Sequence, residues 1–438
     1  MARFTVVMAT YNRGRHILPS IRSVLAQGFA DFELAVVGDC CDDETAGIVA
    51  AIDSPKIRWH NLAERCGSQS FPNNAGIAMA RGDLVAYLGH DDIWAPDHLA
   101  ALAALFERNP ELDFAVAGAI FHGAPGSDFR QVTGIFDDSR APFEHFFPPS
   151  GFAHRRDVTD RIGPWLPPHE VRAPVDSDFL LRAAHAGMRF ASTGRVTAHK
   201  FAAGHRYLSY LRPASDEQDA MLGRMAAPGY ETFLAAEMAA ARAAGTFMAV
   251  RYSVFENFEK GEMARRNAGN KGISLPALRP LERRETIRQD AGPRAQDWRS
   301  PPADHPAVRF VDRNPRPKVL IPFTAPGPVR IELQLVHADA AALRRLAVTV
   351  NGEAARVRLS GAEPRGGLHG ATASLVARLD ASGYTVLQLE LERSQRPLGG
   401  GRGLGMADIV IQPVGAASRL SAILGGYLAP FRSRPDAR

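Results

Sequence analysis

Cysteine is scarce in this chain of 438 residues, which holds three: Cys40, Cys41 and Cys66. Their spacing matches neither a disulfide framework nor a zinc site. Apolar runs long enough to cross a membrane are also missing, as is a cationic-apolar leader after Met1. These absences argue against a disulfide-stabilised secreted protein and against a membrane-spanning one, and we expect a cytoplasmic protein.

Two kinds of motif are absent as well. No glycine-rich phosphate loop with a following Arg or Lys comes after the first predicted strand, which argues against a nucleotidyltransferase. No nucleic-acid-binding motif is present, and a net charge of +5 spread over the whole chain does not indicate a nucleic-acid surface. The pI of about 9.3 instead suggests acidic partners, such as phosphorylated ligands or an anionic membrane face.

A short apolar run followed by two acids stands at the centre of the chain. Leu84 to Leu88 predicts a buried strand, because the run is short and bounded by turn residues. Asp91 and Asp92 follow it, and Pro96 then opens a helical pattern from Asp97 to Arg108. Carboxylates at the carboxyl end of a strand lie where open α/β sheets bind ligands. Two adjacent acids repel each other unless a cation intervenes, which favours a divalent cation carrying substrate phosphates.

The chain changes character along its length. Strands alternate with short helices over the N-terminal half, which predicts βαβ units and a mixed, mainly parallel sheet. A helical stretch and a segment rich in Pro, Arg and Asp follow. Many short strands then suggest a β-sandwich or jelly roll. We therefore predict an α/β domain over residues 1–212, a helical segment and linker over 213–308, a β-sandwich domain over 309–414 and a basic, weakly amphipathic tail over 415–438.

Five stretches of the N-terminal half resemble the inverting, family 2 type glycosyltransferases with the GT-A fold. In chain order they are VVMATYNR (6–13), VVGDCCDDET (36–45), PNNAGIAMARGDLVAYLGHDD (72–92), IWAPDHL (93–99) and VDSDFLLR (175–182). Each stretch alone says little, but five in the right order are specific. The resemblance covers about residues 3–210 and implies a GT-A nucleotide-diphospho-sugar transferase domain. The C-terminal half carries no comparable match.

The resemblance implies a nucleotide site after the first two strands. Asp39 corresponds to the acid that contacts the base, and its carboxylate can accept the ring N–H of uracil or the matching edge of guanine. A helix or turn cap is the alternative. Thr10 and Tyr11 follow the first strand, and Tyr11 either packs beside the base or is an ordinary amphipathic surface residue. Asn73 either touches the nucleotide or sugar or caps a helix.

The metal-binding DXD signature of the family falls on Gly89-His90-Asp91, so glycine replaces its first acid. The resemblance gives Asp91 the metal-ligand position, Asp92 supports it or orients a loop, and His199 completes the expected ligands of Mg²⁺ or Mn²⁺. His90 is either a supporting group or a turn residue. Pyrophosphate oxygens and water can supply the other ligands, and the metal acts as a Lewis acid on the leaving diphosphate. The missing acid leaves weaker metal binding or a degenerate enzyme open.

Asp176 matches the catalytic base of the family and begins a predicted helix. An inverting transferase needs a carboxylate opposite the leaving group, where it deprotonates the acceptor hydroxyl as that oxygen attacks C1. The alternative for Asp176 and for Asp178 is a favourable charge at a helix N-terminus. Lys200 and His205 belong to a cationic stretch that can bind the diphosphate and stabilise its developing charge. A solvated basic loop is the alternative there.

The sequence thus predicts a glycosyltransferase that moves a sugar from a nucleotide-diphosphate donor, with a UDP-sugar favoured, to a glycan or glycolipid acceptor. The reaction would invert the configuration at the sugar and would serve polysaccharide biosynthesis. Peripheral contact with the inner membrane through the basic tail is an open alternative to packing of that tail on the protein. The competing hypothesis is a catalytically degenerate protein that only binds carbohydrate or nucleotide.

Overall fold

The fold is given by a computed structural model that divides into two units, Met1–Ser274 and Leu275–Arg438. The predicted tail, residues 415–438, and the predicted phosphate-binding residue His205 lie outside the described residues. The described residues are 3–123, 130–137, 145–201, 213–247, 258–262, 277–288, 307–310, 317–337, 339–365, 368–381, 383–390 and 404–414.

The first unit alternates strands and helices, as its hydrophobic pattern predicts. Its strands are β1 Phe4–Thr10, β2 Phe32–Gly38, β3 Ile57–Asn61, β4 Leu84–Tyr87, β5 Ile93–Trp94, β6 Phe114–His122, β7 Arg130–Thr133, β8 Phe152–Arg155 and β9 Phe190–Phe201. Its helices are α1 Leu18–Leu25, α2 Thr45–Ala50, α3 Ser70–Ala78, α4 His98–Arg108, α5 Val158–Ile162, α6 Val175–His185, α7 Asp216–Ala226 and α8 Tyr230–Ala243, with 3-10 turns at Gly14–Ile17 and Pro149–Gly151.

These strands form one mixed sheet in the order β3-β2-β1-β4-β8-β6-β9-β5, with β7 paired to β6. Strands β3, β2, β1 and β4 are parallel, and β8 runs antiparallel to both of its neighbours. The predicted α/β fold class is confirmed. Because Thr10 pairs with Gly38 and Val7 pairs with Tyr87, the carboxyl ends of β1, β2 and β4 meet at one edge of the sheet.

Alternate residues of β1 enter two different hydrophobic clusters, because successive side chains of a strand point to opposite faces. Phe4, Val6 and Met8 pack with residues of α1 and α4 on one face. Val7 packs on the other face with residues of β4 and α6. Helix α3 also approaches that face closely, since a Cβ at Gly76 would lie 2.4 Å from Cγ1 of Val7. The sheet is therefore covered by helices on both sides.

Helices α7 and α8 pack within the first unit. Met221 of α7 joins a cluster with Ile93 and Phe201, and Leu234 of α8 joins one with Ile120 and Val132. The predicted helical connector therefore divides differently from the sequence-based boundaries. Its helices lie on the α/β sheet because their apolar stripes find partners there. The strands within residues 277–288 belong to the second unit.

The second unit is built of strands in sheets, as predicted. One sheet has the order β11-β21-β15-β19-β18, with β12 on β21, and another has the order β13-β20-β16-β17. Burial alternates along β15, which gives this sheet one apolar face. The elements are β10 Arg279–Pro280, β11 Glu285–Ile287, β12 Arg309–Phe310, β13 Lys318–Ile321, β14 Phe323–Thr324, β15 Pro328–His337, α9 Ala340–Arg344, β16 Ala347–Val350, β17 Glu353–Ala355, β18 Arg358–Arg365, β19 Leu368–Arg378, β20 Thr385–Glu390 and β21 Gly405–Pro413.

Within the described parts of the chain, none of the helices combines the length and the apolar character that a membrane span requires.

Candidate active site

Asp39 follows β2 directly and ties three segments together. Its backbone N–H donates to the carbonyl of Thr10, at 2.8 Å, which joins the ends of β1 and β2. Its carboxylate accepts the backbone N–H groups of Cys66 and Gly67, each at 2.8 Å. The side chain is buried, with 4% exposed. These two bonds order the loop after β3. A carboxylate has about four acceptor positions, so Asp39 can still accept from a ligand.

Tyr11 lies beside this loop and is covered by a cation. The guanidinium carbon of Arg65 is 3.7 Å from the centroid of the Tyr11 ring. Burial raises the pKa of the Tyr11 hydroxyl, against the opposing effect of the nearby Arg65 charge. A guanidinium over an aromatic face can form a platform on which planar ligands stack. Sequence reasoning missed Arg65, because only the loop fold brings it to Tyr11.

The turn after β4 is held against the end of β1. Nδ1 of His90 lies 3.1 Å from Oγ1 of Thr10, and both side chains are buried. This contact gives His90 a role in shaping the turn that presents Asp91. Thr10, predicted to bind nucleotide, supports this turn through its hydroxyl and Asp39 through its carbonyl.

Asp92 points into the protein and meets a lysine from β9. Its carboxylate is 2% exposed, and it accepts hydrogen bonds from the Lys200 ammonium and the Ser150 hydroxyl. Burial raises the pKa of Asp92 and the charge of Asp91 adds to that effect, while Lys200 and Ser150 oppose it. Burial by itself would lower the pKa of Lys200, but Asp92 and Asp91 outweigh it, so that this pKa is raised and the ammonium stays charged.

Ser150 connects Asp92 to the turn that precedes it. Its hydroxyl oxygen accepts the backbone N–H of Gly89 at 3.1 Å, and its carbonyl accepts the indole N–H of Trp94 at 2.7 Å. Sequence reasoning gave Ser150 no role, because nothing near it in the chain marks it.

Position 89 lies so close to the Asp92 carboxylate that a side chain there would collide with it. A Cβ at residue 89 would lie 2.6 Å from Oδ2 of Asp92 and 3.4 Å from Oδ1 of Asp91. The glycine in place of the first DXD acid therefore makes room for the inward Asp92 carboxylate.

Asp176 stands in the first turn of α6, where its Oδ1 accepts the N–H of Ser177 at 2.9 Å. Its negative charge acts on the Lys200 ammonium, together with the charges of Asp91 and Asp92. The adjacent Asp91 and Asp92 and the distant Asp176 thus all act electrostatically on one ammonium. Asp178 is occupied elsewhere, since it accepts from Arg182 at 2.8 Å within the same helix.

Comparison with known proteins matches this architecture. Residues 5–163 match the family model described as glycosyl transferase family 2. The N-terminal unit carries a family 2 glycosyltransferase domain.

Several relatives share parts of this glycosyltransferase domain. An uncharacterized glycosyltransferase of Nostoc sp. strain PCC 7120 is 26% identical over 233 residues, which are 49% of this chain and 70% of that protein. The succinoglycan biosynthesis protein ExoO of Rhizobium meliloti is 42% identical over 95 residues, 22% of this chain and 27% of ExoO. The poly(ribitol-phosphate) beta-N-acetylglucosaminyltransferase TarS of Staphylococcus aureus is 28% identical over 137 residues, 30% of this chain and 24% of TarS. The matches to ExoO and TarS therefore span less than a third of those proteins.

The solved structure of S. aureus TarS 1-349 in complex with UDP-GlcNAc aligns with 46% of this chain and 59% of that chain. The two are 21% identical and the TM-score is 0.37.

The side chain of His199 is not available as a metal ligand, because both of its ring nitrogens contact other side chains. Its Nδ1 lies 2.9 Å from Nε2 of His122, and its Nε2 lies 2.7 Å from the hydroxyl of Tyr230. The side chain is fully buried, and burial, followed by the neighbouring His122, lowers its pKa well below the ordinary range. Both ring nitrogens have partners on the far side of β9 from Lys200, because successive residues of a strand point to opposite faces. The predicted metal role of His199 is therefore corrected.

The remaining metal candidates are carboxylates. Within the part of the chain that the structure describes, no group of three or more His, Cys, Asp or Glu side chains is placed to hold a metal ion. A hard oxygen ligand is nevertheless present in the Asp91 carboxylate, which belongs to the turn after β4 and whose charge acts on Lys200. That donor chemistry fits Mg²⁺ or Mn²⁺ brought in with phosphate oxygens.

Two neighbouring asparagines of α3 differ in the partners that their side chains have. Asn73 of α3 is 2% exposed, and its amide Nδ2 is buried without a hydrogen-bond partner among the described residues. Its neighbour Asn74 exchanges two hydrogen bonds of 2.9 Å with the backbone of Trp165. Asn74 therefore fastens α3 to the loop before α6, and the nucleotide contact of Asn73 stays a prediction.

Proposed function

We propose that this chain is an inverting glycosyltransferase that transfers a sugar from a nucleoside-diphosphate donor, with UDP-sugars favoured, to a glycan or glycolipid acceptor. One observation carries the proposal. The Asp92 carboxylate accepts a hydrogen bond from the Lys200 ammonium, and the charges of Asp91 and Asp176 help to raise the pKa of Lys200, in a chain whose residues 5–163 match the glycosyl transferase family 2 model.

Asp176 acts as the general base. In its place at the start of α6, its carboxylate accepts the proton of the acceptor hydroxyl while that oxygen attacks C1 of the sugar. The bond from C1 to the diphosphate oxygen breaks on the opposite face, which inverts the configuration. The base and the leaving group must then flank the sugar, and Lys200 marks the leaving-group side.

Lys200 neutralises part of the negative charge that develops on the leaving diphosphate. Its ammonium is held in position by Asp92, so it needs no reorganisation at the moment of reaction. Its side chain is 21% exposed, so it is reachable from solvent while Asp92 is not. The carboxylate excess around it favours the arrival of a second cation together with the phosphates.

Asp91 would hold Mg²⁺ or Mn²⁺ jointly with diphosphate oxygens, and the metal would supply Lewis-acid stabilisation of the leaving group. Asp39 and the stack of Tyr11 on Arg65 would receive the base of the nucleotide. The planar stack suits any nucleobase, and a carboxylate acceptor suits the ring N–H of uracil.

Release of nucleoside diphosphate from a panel of nucleotide sugars, with and without glycan acceptors, tests the proposal. We expect Asp176→Asn to lower turnover by about 10²- to 10⁴-fold, the usual contribution of a general base, while UDP still binds. The matched control is Asp178→Asn two residues on, whose partner is Arg182 and which we expect to keep turnover within about tenfold of wild type. Nucleotide binding without turnover in wild type would instead favour the binding-protein alternative.

A further inference from the structure

Asp92 has the sequence position of a metal-supporting acid, but its surroundings give it another use. Its carboxylate accepts from the Lys200 ammonium and the Ser150 hydroxyl and is almost completely buried. Ser150 is itself fixed by the N–H of Gly89 and the indole of Trp94. A cation approaching Asp92 would have to displace a lysine of the same sign and break this set of hydrogen bonds.

Geometry also excludes a side chain at residue 89, the position of the first acid in the DXD signature. The ideal Cβ position at Gly89 is 2.6 Å from Oδ2 of Asp92, well inside van der Waals contact. The inward Asp92 carboxylate and a side chain at residue 89 therefore exclude each other. The glycine and the Asp92–Lys200 ion pair form a single arrangement that differs from a site with two metal-binding acids.

We propose that Lys200 is a built-in counter-ion that withholds Asp92 from the metal, so that this chain binds Mg²⁺ or Mn²⁺ only together with a nucleoside diphosphate. The inference rests on the proposed function. Divalent cations of this kind are commonly held by one or two carboxylates plus substrate phosphates. With Asp92 withheld, most ligands must come from the diphosphate and from water. Lys200 thus makes metal binding depend on the nucleoside diphosphate, in addition to its contact with the leaving group.

Mn²⁺ binding to the full chain, followed through the electron paramagnetic resonance signal of free Mn²⁺, measures this directly. Titrations are made without nucleotide and with UDP, and a protein-free titration corrects for Mn²⁺ that UDP binds in solution. For wild type we expect Mn²⁺ affinity to rise at least tenfold when UDP is present. For Lys200→Met we expect the affinity for Mn²⁺ alone to rise at least tenfold, because Asp92 becomes available.

Two control variants separate charge from packing. Lys200→Arg keeps the positive charge and should bind Mn²⁺ alone as weakly as wild type. The double variant Lys200→Met with Asp92→Asn should lose the gain of the single variant. If Lys200→Met does not fold by circular dichroism, Asp92→Asn alone decides the matter. We expect it to keep the affinity for Mn²⁺ with UDP within threefold of wild type, because Asp92 is not a ligand.

The results that would overturn the inference are specific. Wild type that binds Mn²⁺ equally well with and without UDP contradicts it, as does a folded Lys200→Met variant without a gain in Mn²⁺ affinity. A tenfold loss in Asp92→Asn would make Asp92 a ligand. Each of these outcomes leaves nucleotide-sugar turnover by wild type intact. Failure of wild type to bind any nucleoside diphosphate, with or without Mn²⁺, would instead refute the proposed function and this inference with it.

Discussion

Nε2 of Gln218 donates a hydrogen bond of 2.8 Å to the backbone carbonyl of Asp91, although 127 residues separate the two in the chain. Gln218 is 1% exposed and belongs to α7, the helix that follows β9. The same helix end is joined to the start of the chain, since Oγ of Ser215 lies 3.2 Å from Nδ1 of His16. Helix α7 therefore positions the turn that carries Asp91, the expected metal ligand.

Replacing Gln218 by Met tests this positioning role, since Met keeps the volume and loses the donor. We expect the affinity for Mn²⁺ with UDP to fall about fivefold, because the hydrogen bond from residue 218 to the Asp91 carbonyl is lost and the turn is less well held. The free energy of unfolding should fall by about 1–2 kcal/mol, the cost of one buried hydrogen bond. Calorimetric titration and urea unfolding measure both effects.

The control is Asp219→Ala on the exposed face of the same helix, whose ion pair with Arg22 is 4.0 Å long and solvent-exposed. It should change the free energy of unfolding by less than about 1 kcal/mol and leave the ligand affinity unchanged. Equal ligand affinities of wild type and Gln218→Met would show that Gln218 does not position the Asp91 turn for ligand binding.

The second prediction concerns the Tyr11 ring, which Arg65 covers, and its effect on UDP affinity. Tyr11→Ala should weaken UDP binding about tenfold, because the aromatic platform for the base is lost. Tyr11→Phe keeps the ring and should stay within about twofold of wild type. Fluorescence titration with UDP distinguishes the two variants. A loss of the same size in Tyr11→Phe would show that the hydroxyl, and not the ring, makes the contact.

An acid at residue 89 should destabilise the folded protein. We expect Gly89→Asp and Gly89→Ala to lower the free energy of unfolding by about 1–3 kcal/mol, because even a Cβ overlaps the Asp92 carboxylate. Neither variant should gain affinity for Mn²⁺. Thermal unfolding with and without UDP and Mn²⁺ records both properties.

Gly47→Ala in helix α2 is the matched glycine control, since a Cβ there meets nothing within 4 Å. It should leave stability unchanged or raise it by up to about 1 kcal/mol. Tighter Mn²⁺ binding by Gly89→Asp would mean that Asp92 turns outward readily and that the glycine is merely a lost ligand.

Acid pH should destabilise the first unit through a buried histidine. Burial lowers the pKa of His154 to about 4, while its hydrogen bond to the Arg155 carbonyl opposes the shift. In the unfolded chain the imidazole regains its ordinary pKa near 6.5, so the unfolded state binds the extra proton between these values. The stability due to neutral His154 is complete above about pH 6.5 and is lost as the pH falls towards 4, at about 1.4 kcal/mol per pH unit.

Comparison of wild type with His154→Gln isolates this effect. Nε2 of His154 lies 2.7 Å from the hydroxyl of Tyr87, and a glutamine amide can keep a contact with it without titrating. Between pH 6.5 and 5, wild type should lose about 2 kcal/mol more than the variant. Guanidinium unfolding followed by the fluorescence of the buried Trp94 and Trp165 gives both curves. Curves that run parallel across this range would show that His154 is protonated in the folded protein.

Much of the first unit could be predicted from local patterns. The apolar runs and helical stripes located β4, α4 and the start of α6 to within a few residues, because each of these elements shows one clear periodicity. The family stretches singled out Asp39, Asp91 and Asp176, which directly follow β2, lie in the turn after β4 and stand in the first turn of α6. Such places at the carboxyl ends of strands recur in α/β sheets that bind ligands.

The roles of neighbouring polar residues could not be predicted in this way. Asp92 and His199 resemble metal ligands in sequence, yet Asp92 is buried against Lys200 and both nitrogens of His199 have protein partners. Periodicity specifies which face a residue takes but not which side chain from a distant segment meets it there. The observed domain boundary also differs from the predicted one, because α7 and α8 pack with apolar residues of the sheet in the first unit.

The sequence by itself determined the alternation of strands and helices in the first unit, the place of Asp39 directly after a strand, and the glycine at position 89. Only the tertiary structure decided that Lys200 neutralises Asp92 across 108 residues, that Arg65 covers Tyr11, and that Gln218 holds Asp91. The physical reason is that local structure follows from interactions within a few residues. The charge and hydrogen-bond partners of a buried site come from whichever segments the packed core brings together.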